Sequence, residues 1–315
     1  MKKPTNYLKA NATYIIMKNK ILILGGNGFL GQHLQNFLFD NYFDIFEVIV
    51  VDNKEIANNH FSQIKLDLFL NNNLENLILK ENPDYLINLV GIIKSDDASL
   101  FLKINALFSS ELLSIFEKHN NLQIKKILLI GSAAEYGGNR HVPLNEQDEL
   151  LPINDYGFSK LIQTEIAKYY SRIKNVPVCI ARAFNVIGRN VPLSASIGSF
   201  INQIKNQPNG GVIKTGYLGS KRDYLDVEDV CSAFLKIILD GVPGEVYNVC
   251  SGNSIGMQEI LEKLIAFSGK VLSIDSQDNS AATDINISLG NNKKLLKLGW
   301  NAGHDIDQSL KKTLL

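Results

Sequence analysis

The sequence predicts an α/β fold built on a doubly wound parallel sheet. Short apolar runs alternate with longer segments whose apolar residues recur at helical spacing, which is the pattern of such sheets. The strand-like runs lie at 21–24, 47–51, 62–66 (which ends at Asp67), 85–90, 125–130 and 177–183. The longest helix candidates, 100–119 and 155–173, contain no proline. After residue 184, glycine and proline separate shorter strand runs at 211–215, 245–250, 270–274 and 284–288, which predicts a smaller C-terminal α/β lobe.

Composition narrows the classes of partner. The chain has 315 residues, is 45% hydrophobic and carries 32 basic and 32 acidic residues. The formal net charge is zero and the sequence has neither a basic stripe nor a cationic tail, so nothing in it points to nucleic acid or an anionic membrane as a partner. No stretch reaches the ~18 apolar residues that a membrane span needs. We therefore expect a cytoplasmic protein without nucleic-acid or membrane partners.

The cysteines and the N-terminus add two expectations. Cys179, Cys231 and Cys250 lie in apolar stretches without metal-type spacing, so we expect buried thiols in a reducing cytosol and no metal site. Residues 1–16 have a basic start but no sustained apolar core or cleavage site, which argues against a signal peptide. Met17 begins MKNKILILGG, which resembles a natural start, so we expect residues 1–16 to be either a disordered N-terminal extension or the result of an early start codon.

A glycine-rich turn follows the first predicted strand, in ILILGGNGFLGQHL at 21–34. Glycine reaches positive φ cheaply and lets a ligand approach the backbone closely. The turn precedes an amphipathic run, so free N–H groups and the positive end of a helix dipole meet at one point, which suits a phosphate. Two registers fit the spacing: Gly26, Gly28 and Gly31, or Gly25, Gly28 and Gly31.

An acidic residue ends the next predicted strand, in EVIVVDNKE at 47–55. Asp52 follows Gly31 by about 20 residues, the usual offset of the acid that hydrogen-bonds an adenosine ribose. The alternative is an aspartate that caps a helix or stabilises a turn. Because a carboxylate repels a 2′-phosphate, Asp52 favours NAD(H) over NADP(H), a preference that the nearby Lys54 softens.

A tyrosine and a lysine four residues apart are candidates for proton transfer. Tyr156 and Lys160 share a helix face if the helix begins near residue 155. An ammonium beside a phenol lowers the phenol pKa and makes it a usable proton donor and acceptor near neutral pH. Y-x-x-x-K also occurs at Tyr14, Tyr170 and Tyr217, so context must select the pair.

That context is the strand in KKILLIGSAAEYG, which starts at residue 125 and ends at Ser132. The open end of such a strand is where a doubly wound sheet holds its ligand. A hydroxyl there is able to hydrogen-bond the oxygen whose charge changes during hydride transfer. Taken alone, Ser132 fits a helix cap equally well.

Together these motifs resemble the extended short-chain dehydrogenase/reductase family that acts on nucleotide sugars, the NAD-dependent epimerases and dehydratases. The resemblance covers nearly all of the chain from Met17, and GGNGFLG, GSAAEYG, YGFSK, ARAFNVIG, KRDYLDVEDV and GEVYNVCSG occur in the family order. It implies a Rossmann-like NAD(P)-binding domain over 17–184, to which 223–250 return. It also implies a substrate-binding lobe formed by 185–222 and 251–315.

The resemblance assigns residues to the cofactor and the catalytic site. It selects the glycine register Gly25, Gly28 and Gly31, with Phe29 and Leu30 between the last two glycines. The other implied cofactor contacts are Asp67, Leu68, Leu89, Val90, Gly91 and the helix residue Asn105. Ser132, Tyr156 and Lys160 match the catalytic serine, tyrosine and lysine, and the last two also contact the cofactor.

Three further residues match substrate positions, together with Ser132. Asn185 corresponds to an asparagine that contacts the sugar diphosphate, and Arg222 to an arginine that binds it. Lys94 stands where epimerases often have a lysine near the substrate. Structural alternatives are a turn residue for Asn185, an ion pair with Asp223 or Asp226 for Arg222, and a solvated loop lysine for Lys94.

Departures from the family pattern suggest the reaction. Dehydratases of the family place an acidic pair where Ala133 and Ala134 stand here. The motifs look most like those of nucleotide-sugar 4-ketoreductases, which reduce GDP- or dTDP-activated 4-keto-6-deoxyhexoses, although the GDP-sugar enzymes usually carry an acid at the place of Ala134. An NAD-dependent 4-epimerase of UDP-hexoses is the alternative, and a non-catalytic nucleotide sensor is a third. Helices 100–119 and 155–173 match the elements that pair family homodimers as a four-helix bundle.

Overall fold

The computed structural model describes residues 7–10, 13–16, 18–54, 60–138, 141–277 and 285–315. The elements of the first half are β1 (Tyr7–Ala10), β2 (Thr13–Ile16), β3 (Asn19–Leu24), α1 (Phe29–Tyr42), β4 (Phe46–Asp52), β5 (Ser62–Lys65), α2 (Asn73–Glu81), β6 (Tyr85–Asn88), α3 (Ala98–Phe101), α4 (Phe108–Lys118), β7 (Lys126–Ser132) and α5 (Asp155–Lys174). A π-helical segment, Leu102–Leu107, joins α3 to α4, and a 3-10 turn, Ala133–Glu135, follows β7.

The second half continues the alternation with shorter strands. Its elements are β8 (Val178–Ala183), β9 (Asn185–Ile187), α6 (Ser196–Asn206), β10 (Val212–Thr215), β11 (Lys221–Asp226), α7 (Val227–Asp240), β12 (Val246–Val249), β13 (Ser254–Gly256), α8 (Met257–Ser268), β14 (Ser273–Ser276), β15 (Ile287–Ser288), α9 (Lys293–Lys297) and α10 (Ile306–Leu314). Residue 284 of the predicted strand 284–288 lies outside the described residues.

A seven-stranded parallel sheet forms the centre of the molecule, in the order β12-β8-β7-β6-β3-β4-β5. The chain runs from β3 outward to β5, then returns to β6 and builds the other side. The direction of winding therefore reverses between β3 and β6, and the carboxyl ends of these two strands border a crevice. The predicted doubly wound α/β fold is confirmed.

Helices cover both faces of this sheet. Side chains alternate along β3, so Ile21 and Ile23 point to one face while Leu22 and Leu24 point to the other. The first face packs against α1 and α7, and the second packs against α2, α4 and α5. Because both faces are covered, the strands are almost uniformly apolar, as in other buried parallel sheets.

A smaller unit holds the remaining strands. Strand β11 pairs with β13, β15 and β9, and β10 pairs in parallel with β14. Helices α6, α8 and α10 pack around a separate apolar core that includes Ile204, Ile260 and Leu310. Strand β12 lies in the seven-stranded sheet, and α7 packs on that sheet's first face.

Three sequence expectations concern the rest of the chain. The backbones of β1 and β2 pair as an antiparallel hairpin, and the other residues of the predicted disordered extension 1–16 lie outside the described residues. The three cysteines are buried free thiols, as predicted. Within the described residues, Ala98–Lys118 alone is long and apolar enough to cross a membrane, and half of its most apolar window is buried.

Candidate active site

The glycine turn between β3 and α1 is shaped by two steric demands. Gly25 has φ +73°, and a Cβ there would lie 2.9 Å from the backbone nitrogen of Val90. A Cβ on Gly31 would lie 2.2 Å from the carbonyl oxygen of Gly26. Gly28 differs, because within the part of the chain that the structure describes a Cβ there would meet only the Gly25 oxygen, at 3.6 Å. Gly25 and Gly31 therefore keep the turn compact, while Gly28 leaves open space at the start of α1.

A cavity of about 360 Å³ lies beside this turn, at the carboxyl ends of β3, β4 and β6. Eight of the predicted cofactor residues line it: Gly25, Gly28, Asp52, Asp67, Leu68, Leu89, Val90 and Gly91. The remaining lining consists of Asn27, Asn53, Lys54, Leu66, Phe69, Ile92 and Ile104. Except for Lys54, the sequence analysis missed this second group.

The carboxylate of Asp52 organises the wall of this cavity. Its Oδ2 accepts a hydrogen bond from the backbone N–H of Asn27 at 2.9 Å, and its Oδ1 accepts one from the backbone N–H of Lys54 at 3.1 Å. The Asn27 side chain donates to the Lys54 carbonyl, while the Asn27 Oδ1 is buried and has no hydrogen-bond partner among the described residues. A buried acceptor without a donor is rare in proteins and fits a hydroxyl group of a bound ligand.

These features of the cavity fit a bound dinucleotide. Open space at Gly28, the N-terminus of α1 and an orphaned acceptor beside a carboxylate provide for a pyrophosphate and a ribose in one cavity. Phe29 and Leu30 begin α1 but lie outside the lining.

Asn105 supports the cavity without lining it. It is completely buried in the π-helical segment. Its side chain accepts from the N–H of Ile92 at 2.9 Å and donates to the carbonyl of Ile92 at 3.0 Å and to Ser159 Oγ at 2.9 Å. Single π-helical turns frequently occur at functional sites. Here the side chain joins the loop after β6 to α5.

The structure brings Ser132, Tyr156 and Lys160 together. Ser132 ends β7, and its side chain is hydrogen-bonded to Tyr156. The same Oγ accepts the N–H of Ala134 at 3.2 Å, so Ser132 is also the cap of the 3-10 turn. The Lys160 ammonium donates to the Ile130 carbonyl at 2.9 Å and lies near Gly91 of the cavity.

Burial determines the protonation of this group. It raises the pKa of Tyr156, and the hydrogen bond with Ser132 only partly offsets that effect. The expectation that Lys160 lowers the pKa of Tyr156 is therefore wrong. Burial also lowers the pKa of Lys160, to about 8, against a smaller rise caused by the negative charge of Glu135.

Tyr156 lines a second cavity, of about 610 Å³. Lys94 and Tyr156 line it together with Ile93, Ser95, Asp96, Phe101, Asn154 and Asp155. A predicted substrate residue and a predicted catalytic residue thus share one space. Lys94 is exposed, and it lines the same cavity as Tyr156.

Asn185 and Arg222 lie outside the linings of both cavities, on the neighbouring strands β9 and β11. Asn185 Nδ2 donates to the carbonyl of Asp223 at 3.0 Å, and Arg222 Nη1 donates to the carbonyl of Lys221 at 2.9 Å. The Asp223 carboxylate accepts N–H groups of Ser251, Gly252 and Gly290. The Asp226 carboxylate caps α7. Both acids thus bind backbone N–H groups, and the described ion pairs of Asp226 do not include Arg222.

The sequence analysis also missed a buried ion pair beside Ser132. Glu135 and Arg182 are completely buried and their charged groups lie 2.7 Å apart. A signal was present, because an arginine within the apolar run 177–183 requires a buried partner. The partner lies 47 residues earlier, a separation that no local pattern reveals.

The fold and this grouping of residues define a nicotinamide-dinucleotide oxidoreductase of the extended short-chain dehydrogenase/reductase type. The sequence model of the NAD dependent epimerase/dehydratase family matches residues 21–250. The chain belongs to that family, and it is an NAD(P)-dependent enzyme.

Curated relatives span several reactions of the family. A dTDP-D-glucose 4,6-dehydratase of Dictyostelium discoideum is 29% identical over 79% of this chain, which spans 62% of the relative's length. A GDP-6-deoxy-D-mannose reductase of Pseudomonas aeruginosa is 30% identical, with 79% of this chain and 80% of the relative covered. A putative UDP-glucose 4-epimerase of Methanocaldococcus jannaschii is 27% identical, with 93% and 97% covered.

Among solved structures, the chain is similar to RMD from Pseudomonas aeruginosa complexed with NADPH. The TM-score is 0.82 and the sequence identity is 28%, with 95% of this chain and 97% of that chain covered. The similarity therefore includes both the central sheet and the smaller lobe.

Proposed function

We propose that the protein reduces the C4 ketone of a nucleotide-activated 4-keto-6-deoxyhexose, a GDP or dTDP sugar, with NAD(P)H. The main observation behind this proposal is the side-chain hydrogen bond between Ser132 and Tyr156. Tyr156 lines the Lys94 cavity, and Lys160 of the same helix lies near Gly91 of the glycine-turn cavity. A reductase relative and a reduced-cofactor complex of a similar structure support this reaction.

Dehydration is disfavoured by the residues that follow Ser132. Elimination of water needs an acid and a base near the sugar, and Ala133 and Ala134 supply neither. Glu135, the next residue, does not replace them because its carboxylate is completely buried and paired with Arg182. The turn therefore presents one hydroxyl, that of Ser132, and no titratable group of its own.

The protein's residues supply the proton and the orientation for ketone reduction. When bound, the reduced nicotinamide supplies hydride. Tyr156 donates a proton to the C4 oxygen, and Ser132 donates a hydrogen bond to the same oxygen as its negative charge develops. Lys160 holds the ribose of the cofactor. The raised pKa of Tyr156 keeps the phenol protonated at neutral pH, which suits reduction, since oxidation of a hydroxyl needs the phenolate first.

We assign the cofactor as NAD(H) in preference to NADP(H), because the Asp52 carboxylate lines the cavity where a 2′-phosphate would be repelled. Lys54 lines the same wall and moderates this preference. In this assignment Gly25, Gly28 and the start of α1 bind the pyrophosphate, and Asp67 with Leu68 contacts the adenine. Asn185 and Arg222 bind the sugar diphosphate from the smaller lobe.

We also propose a homodimer, formed by a four-helix bundle of the 100–119 and 155–173 helices of two copies. Large apolar side chains remain exposed along this pair of helices: Leu100, Leu107, Phe158, Tyr169 and Ile173. A second copy that covers them removes this apolar area from water. The buried thiols agree with a cytoplasmic location.

A 4-epimerase is the second candidate, and one observation favours it. Lys94 faces the same cavity as Tyr156, as expected from its match to an epimerase lysine. Such an enzyme would use Tyr156 first as base and then as acid, and would retain NAD through the cycle.

The test is consumption of NADH and NADPH by purified protein supplied with GDP-4-keto-6-deoxymannose or dTDP-4-keto-6-deoxyglucose. Stoichiometric consumption that is lost in Tyr156→Phe supports the proposal and identifies the nucleotide. Tyr170→Phe is the matched control, because Tyr170 belongs to a second Y-x-x-x-K match on the same helix. Interconversion of UDP-hexoses without net consumption would instead establish the epimerase.

A further inference from the structure

One carboxylate joins three elements that surround Ser132. Glu135 has no exposed surface. Its Oε1 accepts the backbone N–H of Ser132 at 2.8 Å. Its Oε2 accepts the hydroxyl of Thr164 at 2.9 Å and two N–H groups of Arg182 at 3.0 and 2.7 Å. The turn after β7, helix α5 and strand β8 therefore meet at this side chain.

The partner arginine is itself fixed. Arg182 Nη1 donates to the hydroxyl of Tyr136 at 2.8 Å, and its guanidinium lies 4.6 Å from the centre of the Tyr136 ring. The Tyr136 hydroxyl donates in turn to Asn248 Oδ1 on β12 at 2.8 Å. These contacts hold the Arg182 guanidinium in place against the Glu135 carboxylate.

The contact with α5 falls on the face that carries the proposed chemistry. Tyr156, Lys160 and Thr164 follow one another at intervals of four residues, so they form one stripe along the helix. The helix that presents the phenol and the ammonium therefore also binds the carboxylate that holds Ser132.

Stability alone does not account for this arrangement. Buried ion pairs pay a desolvation penalty, and well-packed apolar residues of similar volume often stabilise a fold as well or better. A capping box at an ordinary helix terminus needs one acid bonded to one N–H. Here the Glu135 carboxylate also bonds Thr164 on α5 and Arg182 on β8. The Glu135–Arg182 pair therefore fixes the positions of the turn, α5 and β8 relative to one another.

We propose that Glu135 is a positioning residue that sets the Ser132 hydroxyl against Tyr156 by joining the turn after β7 to α5 and β8. The inference rests on the proposed function, in which these two hydroxyls act on one substrate oxygen. Glu135 acts through Ser132 and touches neither substrate nor cofactor.

Thr164→Val tests the link to α5 without creating a buried charge. The valine has nearly the same shape, and the Glu135 carboxylate keeps both of its bonds to Arg182. We expect kcat to fall roughly tenfold, in the range that a small misplacement produces, while KM and cofactor affinity stay within about twofold. Thr164→Ser restores the hydroxyl and should restore kcat. Thr313→Val is the matched control, since Thr313 is a buried threonine whose hydroxyl bonds within α10.

A double-mutant cycle shows whether the effect passes through Ser132. In a Ser132→Ala background, Thr164→Val should change kcat by less than about twofold, because the positioned hydroxyl is already gone. A further tenfold loss in that background would overturn the proposal. So would an unchanged kcat in Thr164→Val alone, or an equal loss in Thr313→Val.

A measurement without substrate separates this proposal from the proposed function. The hydrogen bond with Ser132 lowers the pKa of Tyr156, so a displaced Ser132 raises it. Thr164→Val changes no charge, so the effect of the Glu135 charge on the pKa of Tyr156 stays the same. Titration of ¹³Cζ-labelled tyrosine, with Tyr156→Phe to identify the signal, should show the Tyr156 transition at higher pH than in the wild type. An unshifted transition overturns the positioning role. Absent turnover with a shifted transition overturns only the proposed reaction.

Discussion

The Lys160 ammonium lies 2.9 Å from the carbonyl oxygen of Ile130 and donates a hydrogen bond to it. Ile130 is on β7, two residues before Ser132, and Lys160 is on α5, one turn after Tyr156. The bond connects the strand that carries the serine to the helix that carries the tyrosine. The Lys160 ammonium is buried where it makes this bond, and burial of a charged group affects the stability of the fold.

Burial lowers the pKa of Lys160 from 10.5 to about 8, so the lysine makes stability depend on pH. Below pH 8 both folded and unfolded chains bind the proton, and the folded state bears a penalty on the order of 3 kcal/mol. Between about pH 8 and 10.5 the unfolded chain binds more protons, so the contribution of Lys160 to stability rises with pH. Lys160→Met should therefore unfold at higher urea than the wild type at pH 7, with the gap closing toward pH 10.

The control is Lys168→Met, which removes a more exposed lysine from the same helix. Its difference from the wild type should stay constant over this range. If the stability difference between Lys160→Met and the wild type is also constant with pH, burial does not lower the pKa of Lys160 as described.

Substitution by alanine should affect folding and dinucleotide binding differently at Gly28 and at Gly31. A methyl group on Gly31 meets the Gly26 backbone at 2.2 Å, so Gly31→Ala should cost about 1–3 kcal/mol of folding free energy and abolish dinucleotide binding. A methyl group on Gly28 meets no close atom, and its φ of −73° suits alanine. Gly28→Ala should keep its melting temperature and yet lose dinucleotide affinity, as measured by calorimetry. Full affinity in Gly28→Ala would show that the ligand does not approach this backbone.

Asp52→Asn should change the preference between the two nicotinamide cofactors. Loss of the negative charge removes the repulsion of a 2′-phosphate and weakens the hydrogen bond to a 2′-hydroxyl. We expect NADH affinity to fall roughly tenfold, the scale of one charge-assisted hydrogen bond, and NADPH affinity to rise. Asp40→Asn, at an exposed position of α1, is the control. An unchanged ratio of the two affinities would remove Asp52 from the ribose site.

The homodimer predicts a light-scattering mass of twice the 35.1 kDa chain. Leu107 has 59% of its surface exposed on the proposed bundle face, and Val271 in the smaller lobe has 72%. Leu107→Glu should yield monomers because it places a charge in the interface, whereas Val271→Glu should remain dimeric. A wild-type mass near that of one chain contradicts the dimer directly.

Most of the fold was predictable from local patterns. The apolar runs that became β3, β4, β6, β7 and β8 are nearly continuous because both faces of the sheet are covered. Helix α5 begins at Asp155, where the prediction placed it, since Asn154 caps it by accepting the N–H of Gly157. The chain order of the strands then leaves few topologies to consider.

Long-range contacts explain what the sequence did not reveal. The pKa of Tyr156 depends on burial, which the spacing of Tyr156 and Lys160 does not encode. Asn105 bonds Ile92 from a π-helical turn, and the spacing of apolar residues does not predict such a turn. Asn27 became a cavity residue through its bond to Asp52, 25 positions away. In the last two cases the partner is distant along the chain, and in the first the burial itself arises only from tertiary packing.

The most direct test of the proposed ketone reduction follows the hydride itself. Wild-type protein is incubated with NADH deuterated at the transferred position of the nicotinamide and with the 4-keto-6-deoxyhexose nucleotide that supports turnover. Mass spectrometry should find one deuterium at C4 of the sugar for each NADH consumed, with no labelled product from Tyr156→Phe. An unlabelled sugar product, or interconversion of sugars without net NADH oxidation, would contradict the proposed reduction.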